Sequence, residues 1–202
     1  MLELDKSYFN NYDQITGIDE AGRGPLAGPL VVAAVTFQKD FNIEGLNDSK
    51  KLTDRTRRSL YRSIIQEAID YKIIVISVEV IDEINILQAT MLGMQKACLQ
   101  LKKKGKILID GNRIPEELIK LQAEAIVKGD QKVSAIAAAS ILAKVYRDDI
   151  MIKLHEKYPE YGFDHNKGYG TKIHLRAIEK YGIIDDHRRS FGPVAQQCII
   201  FD

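Results

Sequence analysis

Hydrophobic positions along the chain fall into two kinds of pattern, which predict strands and helices. Short runs rich in Val and Ile, bounded by turn residues, predict strands over residues 15–19, 30–37, 73–80, 107–110 and 122–127. Longer stretches with apolar residues every three or four positions predict helices over residues 53–71, 81–104, 133–158 and 171–181. Strands and helices do not alternate regularly, so the pattern predicts an α/β fold with a mixed β-sheet flanked by helices.

The composition of the 202 residues is that of an ordinary globular protein, with 45% hydrophobic residues, 28% charged residues and a formal net charge of +1. This length predicts one domain over residues 1–202, with a helical C-terminal extension over about 160–202. Because the net charge is close to zero, any surface that binds nucleic acid must be a local basic patch.

The cysteines and the N-terminal residues bear on the cellular compartment. Cys98 and Cys198 lie far apart and have no zinc-ligand spacing with the four histidines, so we expect free thiols and no zinc site. Residues 1–5 lack the basic and apolar regions of a signal peptide, and no apolar run reaches the roughly 18 residues of a spanning helix. We therefore expect a cytoplasmic protein that does not associate with membranes.

Carboxylates stand at the ends of three predicted elements. Asp19 and Glu20 end the first strand, Asp110 ends a buried strand, and Asp130 precedes a helix. Neighbouring strand residues point to opposite faces, so Asp19 and Glu20 share a site only if the strand breaks there, which the glycines after them favour. Asp110 taken alone is also ordinary turn chemistry, because Asp-Gly is a common turn pair. Four carboxylates together would repel, and two divalent ions about 3.5–4 Å apart would relieve this and activate a water.

A glycine-rich turn with the sequence Gly-Arg-Gly-Pro-Leu-Ala follows at residues 22–27 and satisfies the GxGxxG/A dinucleotide pattern. That pattern requires a helix next, but prolines and a β-branched run follow, which disfavours a Rossmann-type oxidoreductase. Recognition of a sugar-phosphate backbone fits better. The amides of a glycine turn can hydrogen-bond a 2′-hydroxyl, and Arg23 can bind a phosphate with two donors. Without the neighbouring acids, an ordinary turn with a solvated Arg23 would be the default interpretation.

The contiguous sequence Asp-Glu-Ala-Gly-Arg-Gly-Pro-Leu-Ala-Gly-Pro at residues 19–29 resembles the signature of the type 2 ribonucleases H, specifically bacterial ribonuclease HII. The resemblance extends from about residue 15 to residue 191 and implies the ribonuclease H-like fold and a monomer. It implies hydrolysis of the RNA strand of RNA–DNA hybrids. It also implies cleavage 5′ of single ribonucleotides embedded in duplex DNA, giving 3′-hydroxyl and 5′-phosphate ends, as ribonucleotide excision repair requires.

The resemblance also assigns the catalytic residues. It makes Asp19, Glu20, Asp110 and Asp130 the acids that bind two divalent ions, Mg²⁺ or Mn²⁺, during catalysis. Asp19 and Asp110 would contact both ions, and the other two acids would hold one each or position the nucleophile. The implied mechanism is in-line attack of a metal-activated water on phosphorus, without a covalent enzyme intermediate.

Substrate contacts are predicted in four further segments. The resemblance makes Gly22, Arg23 and Gly24 the tripeptide that senses the 2′-hydroxyl at an RNA–DNA junction. Tyr169 is flanked by glycines, which suits stacking on a sugar or base, and the resemblance gives it that role next to the junction. Without the resemblance, packing on the helix that follows would be an equal alternative. The remaining candidates for binding the substrate are Ser49, Lys50, Lys51, Asn112, Ser140, Lys144 and Lys167.

Two rival interpretations involve nucleic acid as well. Ribonuclease HIII, a sister family, carries an added N-terminal substrate-binding domain and typically a lysine where Arg23 stands. Here only residues 1–14 precede the first predicted strand and the arginine is present, which favours ribonuclease HII. A non-catalytic nucleic-acid-binding module on the same fold would not need all four acids intact.

Overall fold

A computed structural model describes residues 2–46 and 52–201, and its centre is a five-stranded sheet. The strands are β1 (Gln14–Ala21), β2 (Leu30–Gln38), β3 (Asp70–Ile76), β4 (Lys106–Asp110) and β5 (Glu124–Ile126). The helices are α1 (Asp5–Phe9), α2 (Asp54–Glu67), α3 (Val78–Leu99), α4 (Glu116–Ile119), α5 (Ser134–Lys157), α6 (Phe163–Asn166), α7 (Lys172–Tyr181) and α8 (Gly192–Phe201). None of the helices in this described part is long and apolar enough to cross a membrane.

The sheet is mixed, which confirms the prediction from the sequence. Its strand order is β3-β2-β1-β4-β5, so the first strand of the chain lies in the middle. β1 and β2 pair antiparallel, as do β2 and β3, whereas β4 runs parallel to β1 and β5 runs parallel to β4. The antiparallel pair β1–β2 is connected by residues 22–29, so the glycine-rich turn lies directly at the end of the central strand.

Each face of the sheet is covered by one long helix. Successive side chains of a strand point to opposite faces, and β1 and β2 divide their apolar residues accordingly. Ile15 and Val31 belong to the core that includes residues of α5, while Ile18 and Val32 belong to the core that includes residues of α3. The alanines of α5 are buried in the first of these cores, and their small side chains let the helix approach the sheet closely.

The C-terminal helices form a third apolar cluster around the turn between β1 and β2. Its members are Leu26, Ala27, Met151, Tyr161, Phe163, Ala177, Ile178 and Val194. Leu26 N donates to Gly168 O and Gly28 N donates to Asp186 O, each at 2.8 Å. The turn between β1 and β2 is therefore held in place by the C-terminal part of the chain.

Helix α2 is capped by Thr53 and is shorter than the helix predicted over residues 53–71. Thr53 Oγ1 accepts a hydrogen bond from Thr56 N at 3.2 Å, the contact expected of a capping threonine. The helix ends at Glu67, and the amide of Ile69 then donates to a carbonyl of β2. Pairing with the sheet thus overrides the apolar periodicity that continues past this point.

Strand β3 and helix α3 both begin before residues 73 and 81, the starting points that the sequence predicts. The β-branched run that suggests a longer strand is helical from Val78, because Val78 and Ile81 bury their side chains against the sheet. Asn85 interrupts the helix with a φ of 64°. Its Oδ1 accepts from the amides two and three residues further on, so it caps the second part of the helix.

Helices α4, α6 and α8 are not among those that apolar periodicity predicts. α4 and α6 have four residues each, too few for a repeating apolar pattern. α8 lies within the helical C-terminal extension that the sequence predicts over about residues 160–202, and its Val194 is buried in the third cluster. Local patterns predict the long elements of this fold, but they do not predict single helical turns.

Candidate active site

Asp19 and Asp110 lie near each other because β1 and β4 are parallel neighbours. The last residues that pair these strands are Ile18 and Ile109, so the next residue of each strand emerges at the same end of the sheet. In open α/β sheets, ligands bind in crevices outside the carboxyl ends of such strands. The two carboxylates are close enough for the charge of Asp110 to raise the pKa of Asp19.

The strand break predicted at Asp19 and Glu20 does not occur. β1 stays paired with β2 as far as Ala21, opposite Val31, and the chain turns only at Gly22, where φ is 99°. Asp19 and Glu20 therefore point to opposite faces of β1. They are nevertheless close enough for the charge of Glu20 to raise the pKa of Asp19. β4 no longer pairs with β1 at this end, which leaves that edge of the strand open.

Asp19 is buried, and its surroundings disfavour the charged carboxylate. Burial is the main cause that raises its pKa well above the ordinary range, and the charges of Glu20 and Asp110 raise it further. Two hydrogen bonds to the Asp19 carboxylate lower its pKa. The amide of Glu20 donates to Oδ1 at 2.8 Å, and the hydroxyl of Ser140 donates to the same carboxylate. Nearby positive charge would therefore stabilise the ionised form considerably.

Glu20 has one paired and one unpaired carboxylate oxygen. Burial raises its pKa, the charge of Arg23 lowers it, and the charge of Asp110 raises it. Arg23 Nη1 lies 3.4 Å from Oε1. Oε2 is buried and has no hydrogen-bond partner among the residues that the structure describes. A buried carboxylate oxygen without a donor is the type of ligand that a hard divalent cation takes.

Asp110 and Asp130 are connected through a single turn of 3₁₀ helix, Gly129–Gln131. The amide of Gly129 donates to Asp110 Oδ1 at 2.6 Å, and the buried Asp130 follows it directly. A Cβ at Gly129 would lie 2.6 Å from Cδ1 of Ile136, so glycine allows the turn to approach helix α5 this closely. The turn precedes α5, as the sequence predicts for Asp130.

The predicted acids thus reach the same end of the sheet on three elements, but they are not arranged as a complete metal site. Within residues 2–46 and 52–201, no three carboxylate, imidazole or thiol groups are positioned as they stand to hold a metal ion. The chemistry of the set nevertheless suits a hard cation, because buried carboxylates repel one another and Glu20 Oε2 has no donor. The metal-binding roles of the four acids therefore stay predictions.

A cleft of about 420 Å³ opens next to Glu20, between the glycine-rich turn and helices α2 and α5. It is lined by Glu20, Ala21, Gly22, Arg23, Gly24, Arg57, Ser140, Ile141, Lys144, Arg147 and Tyr169. All of these except Ala21, Arg57, Ile141 and Arg147 are residues that the sequence analysis predicts for the site. Four of the lining side chains are basic, so the cleft combines positive charge with one carboxylate at its end.

Arg57 lines the cleft although it is not among the predicted site residues. Its Nη2 donates to Leu52 O at 3.0 Å, which holds the guanidinium near the start of α2. A signal for it exists in the sequence. Leu60 and Ile64 mark the buried face of α2, and Arg57 precedes Leu60 by three residues, so it lies on the inner face.

Tyr169 lies directly across from the glycine-rich turn. A Cβ built on Gly24 would be 3.4 Å from Cε1 of the Tyr169 ring, and this side chain is 49% exposed. A Cβ on Gly168 would be 2.4 Å from the carbonyl oxygen of Ala27, so glycine is needed for the two loops to touch. Half the ring is therefore available to a ligand beside Gly24.

Lys144 and Lys167, both predicted to contact substrate, differ in position. Lys144 lines the cleft, and its Nζ pairs with Oδ2 of Asp148 at 2.6 Å, one helical turn away. Lys167 does not line the cleft. Its Nζ donates to the backbone oxygen of Asp164 in α6.

The other predicted contacts lie outside the main cleft. Asn112 lines a smaller hollow of about 100 Å³ that also contains Glu20, Asp110 and the side of α3. Ser49, Lys50 and Lys51 lie outside the described residues, so their contact with phosphate stays a prediction from the sequence.

Comparisons with known proteins agree on one family. The family model for ribonuclease HII matches residues 16–194. Ribonuclease HII of Delftia acidovorans is 57% identical over 182 residues, which is 90% of this chain and 77% of the relative. Ribonuclease HII of Francisella tularensis subsp. tularensis (strain WY96-3418) is 53% identical over 181 residues, covering 89% and 96% of the two chains.

The solved structures agree with the family match. The crystal structure of ribonuclease H2 from Pyrococcus horikoshii OT3 superimposes with a TM-score of 0.78 at 31% identity, over 93% of this chain and 98% of that one. This likeness confirms the ribonuclease H-like fold that the sequence predicts. The region matched by the family model includes the four acids, the glycine-rich turn and Tyr169. The chain therefore belongs to the ribonuclease HII family and is a ribonuclease H-type endonuclease.

Proposed function

We propose that this enzyme hydrolyses the RNA strand of RNA–DNA hybrids and cleaves 5′ of single ribonucleotides embedded in duplex DNA, leaving 3′-hydroxyl and 5′-phosphate ends. The observation that carries the proposal is that Glu20 lines one cleft with the turn of Gly22, Arg23 and Gly24, while the buried Asp19 precedes Glu20 in the chain. Groups suited to hydrolysis and groups suited to reading the sugar are neighbours in the chain. Such an activity would serve ribonucleotide excision repair in the cytoplasm.

Binding of the phosphate backbone is supported by the basic residues of the cleft. Arg23 is at the end next to the acids, Arg57 comes from α2, and Lys144 comes from α5. Three cations on separate elements can follow consecutive phosphates of a strand, whereas a single cluster would bind only one phosphate. Arg23 offers two parallel donors to a phosphate next to the bond that is cut.

Selection of ribose is assigned to the glycine-rich turn together with Tyr169. A 2′-hydroxyl is both donor and acceptor, so backbone groups in close approach can recognise it. Gly24 has no side chain to block this approach, and the half-exposed ring of Tyr169 lies at its side. The ring would stack on the sugar or base at the junction and limit how far the nucleotide can shift.

The acids would act through divalent cations. Asp19, Glu20, Asp110 and Asp130 would hold two Mg²⁺ or Mn²⁺ ions, which when bound activate a water and stabilise the leaving oxygen. The protein orients the first three of these carboxylates before any ligand arrives. Ser140 donates to Asp19, Arg23 contacts Glu20, and the amide of Gly129 fixes Asp110. Such preorganisation reduces the reorganisation needed at the reaction step.

The test is the variant Asp110→Asn, with Asp185→Asn as its matched control because the Asp185 side chain is 99% exposed. Both are incubated with a DNA duplex that carries one ribonucleotide, with and without Mg²⁺, and the products are sized and their ends identified. We expect Asp110→Asn to lower the cleavage rate at least about a hundredfold, the scale for losing an electrostatic catalytic group. Its affinity for the duplex should change little, and Asp185→Asn should cleave normally.

Two results would contradict this assignment. Near-normal cleavage by Asp110→Asn would exclude the residue from the catalytic set. Cleavage by the unaltered enzyme at positions other than the 5′ side of the ribonucleotide would exclude the proposed selectivity, even if an RNA–DNA hybrid is still degraded.

A further inference from the structure

Two arginines are buried beneath the glycine-rich turn. Arg188 is 0% exposed and Arg147 is 2% exposed. In the described part of the chain, neither forms an ion pair with a carboxylate within 4.0 Å. Burial lowers the pKa of both guanidinium groups, since removing a cation from water is unfavourable. A fold that buries two such groups without acids must satisfy their donors in another way.

Arg188 donates hydrogen bonds to backbone carbonyls of the glycine-rich turn. Its Nη2 donates to Gly22 O at 2.6 Å and to Gly28 O at 2.8 Å. Its Nη1 donates to Arg23 O and its Nε to Gly28 O, both at 3.0 Å. The planar fork of an arginine can reach both ends of the turn at once, and a lysine ammonium cannot.

Arg147 holds the rest of the turn and connects it to the loop of Tyr169. Its Nε donates to Pro29 O at 2.9 Å, its Nη2 to Ala27 O at 3.0 Å, and its Nη1 to Lys167 O at 2.9 Å. A Cβ at Gly22 would lie 2.1 Å from Nε of Arg147, so this glycine is needed for the arginine to pack. Arg147 therefore fixes the separation between the two loops that border the cleft.

The carbonyl contacts of Arg188 determine where the neighbouring amides point. No cis peptide bond occurs in the described part of the chain, and in a trans peptide the N–H points opposite to the C=O. Because the carbonyls of Gly22 and Arg23 point toward Arg188, the amides of Arg23 and Gly24 point away from it, on the side of the cleft. In the described residues, neither amide donates a hydrogen bond to the protein.

We propose that Arg188 is a positioning residue for sugar recognition: it holds the carbonyls of Gly22 and Arg23 so that the amides of Arg23 and Gly24 are presented to the ribose. The inference rests on the proposed function and adds a residue on the far side of the turn, which no substrate touches. A cation on the carbonyl side also polarises each peptide and strengthens its N–H as a donor.

The first test compares Arg188→Lys with Arg189→Lys. Arg189 is the adjacent residue and its side chain is 62% exposed, so the same substitution there controls for the change in chemistry. Measurements are kcat/KM on a DNA duplex with one ribonucleotide, and the ratio of affinities for that duplex and for the all-DNA duplex. We expect Arg188→Lys to lower the ratio about tenfold, the value of one or two hydrogen bonds. Affinity for the all-DNA duplex, which depends on phosphate contacts, should stay close to that of the unaltered enzyme.

A second test needs no change at Arg188, so it decides the matter if Arg188→Lys does not fold. In the Asp110→Asn protein, amide hydrogen exchange of Arg23 and Gly24 is measured alone, with the all-DNA duplex and with the ribonucleotide-containing duplex. We expect fast exchange in the free protein and strong protection only with the ribonucleotide. Amides that are already protected in the free protein, or equally protected by both duplexes, would overturn the proposal.

The outcomes separate this inference from the proposed function. If the unaltered enzyme cleaves next to the ribonucleotide and a folded Arg188→Lys protein keeps the same affinity ratio, only the role of Arg188 is refuted. If the unaltered enzyme does not cleave that duplex, the proposed function fails and the inference fails with it.

Discussion

Two buried histidines connect the C-terminal part of the chain to the loop of Tyr169. Ile184 N donates to Nδ1 of His187 at 3.0 Å, so this nitrogen carries no proton and Nε2 carries it. His187 Nε2 then donates to His174 Nε2 at 3.0 Å, and His174 Nδ1 donates to the backbone oxygen of Tyr169 at 2.9 Å. Each histidine is neutral in this chain of hydrogen bonds, since an added proton would leave two donors facing each other.

This arrangement predicts loss of stability in mild acid. Burial, and then the charge of His174, lowers the pKa of His187 from 6.5 to about 4. The unfolded chain therefore binds this proton at higher pH than the folded one. The stability is fully present above about pH 6.5 and falls as the pH drops to about 4, by a total of about 3 kcal/mol for this group.

The measurement is urea unfolding at several pH values between 7 and 4. The variant His187→Gln cannot take up the proton, so its stability should decline less over this range than that of the unaltered protein. His165→Gln serves as the control, because the side chain of His165 is largely exposed. Equal pH dependence in the unaltered protein and in His187→Gln would exclude the histidine pair as the cause.

At the level of single residues, the sequence predicts those site groups that are neighbours along the chain. Asp19, Glu20 and the turn at residues 22–24 form one contiguous segment, so their cooperation is visible without a structure. Arg147 and the roles of His174 and Arg188 depend on contacts between residues far apart in sequence. No local pattern distinguishes a buried arginine that binds carbonyls from a solvated one.

Between elements, strand β1 and helix α5 approach each other very closely at Gly17. A Cβ at this position would be 2.1 Å from the carbonyl carbon of Ala135 and 2.2 Å from the amide nitrogen of Ile136. Both atoms belong to the helix backbone, which cannot move aside as a side chain can. Gly17→Ala should therefore destabilise the protein by about 3 kcal/mol or more, at the upper end of overpacking effects.

Gly192→Ala is the matched control for this substitution, because a Cβ there would meet nothing within 4 Å. Its free energy of unfolding in urea should equal or slightly exceed that of the unaltered protein. If Gly17→Ala were as stable as Gly192→Ala, the helix would not rest on the strand as closely as described.

The type of an element is predictable from this sequence where its hydrophobic pattern is long. The boundaries of an element are not predictable where tertiary contacts compete with the local pattern. The strands β1, β2 and β4 and the helices α5 and α7 are found close to their predicted ranges. Between residues 67 and 81 the prediction is wrong at four successive boundaries, because pairing with β2 and packing on the sheet decide the conformation. β1 continues to Ala21 for the same reason, because β2 extends far enough to pair with it there.

Across the whole molecule, the proposed catalytic acids come from elements separated by up to 111 residues of sequence, from Asp19 on β1 to Asp130 before α5. Divalent ions bound between them would tie together β1, β4 and the turn that leads into α5. Ions that bind only the folded chain stabilise it by mass action, by about 2.7 kcal/mol at a concentration of 100 times Kd. This effect does not depend on any substrate or on turnover.

We therefore expect Mg²⁺ or Mn²⁺ to raise the free energy of unfolding of the unaltered protein, and to raise that of Asp110→Asn much less. Asp185→Asn, altered at an exposed acid, should respond to the ions as the unaltered protein does. Urea unfolding in metal-free buffer and in buffers with added ions, all at one ionic strength, separates specific binding from general screening of charge. Equal stabilisation of all three proteins would mean that the ions bind elsewhere or not at all. Because Asp110 contributes a carboxylate from a strand that β1 meets only in the folded sheet, a response confined to proteins with Asp110 intact would tie ion binding to the assembled sheet.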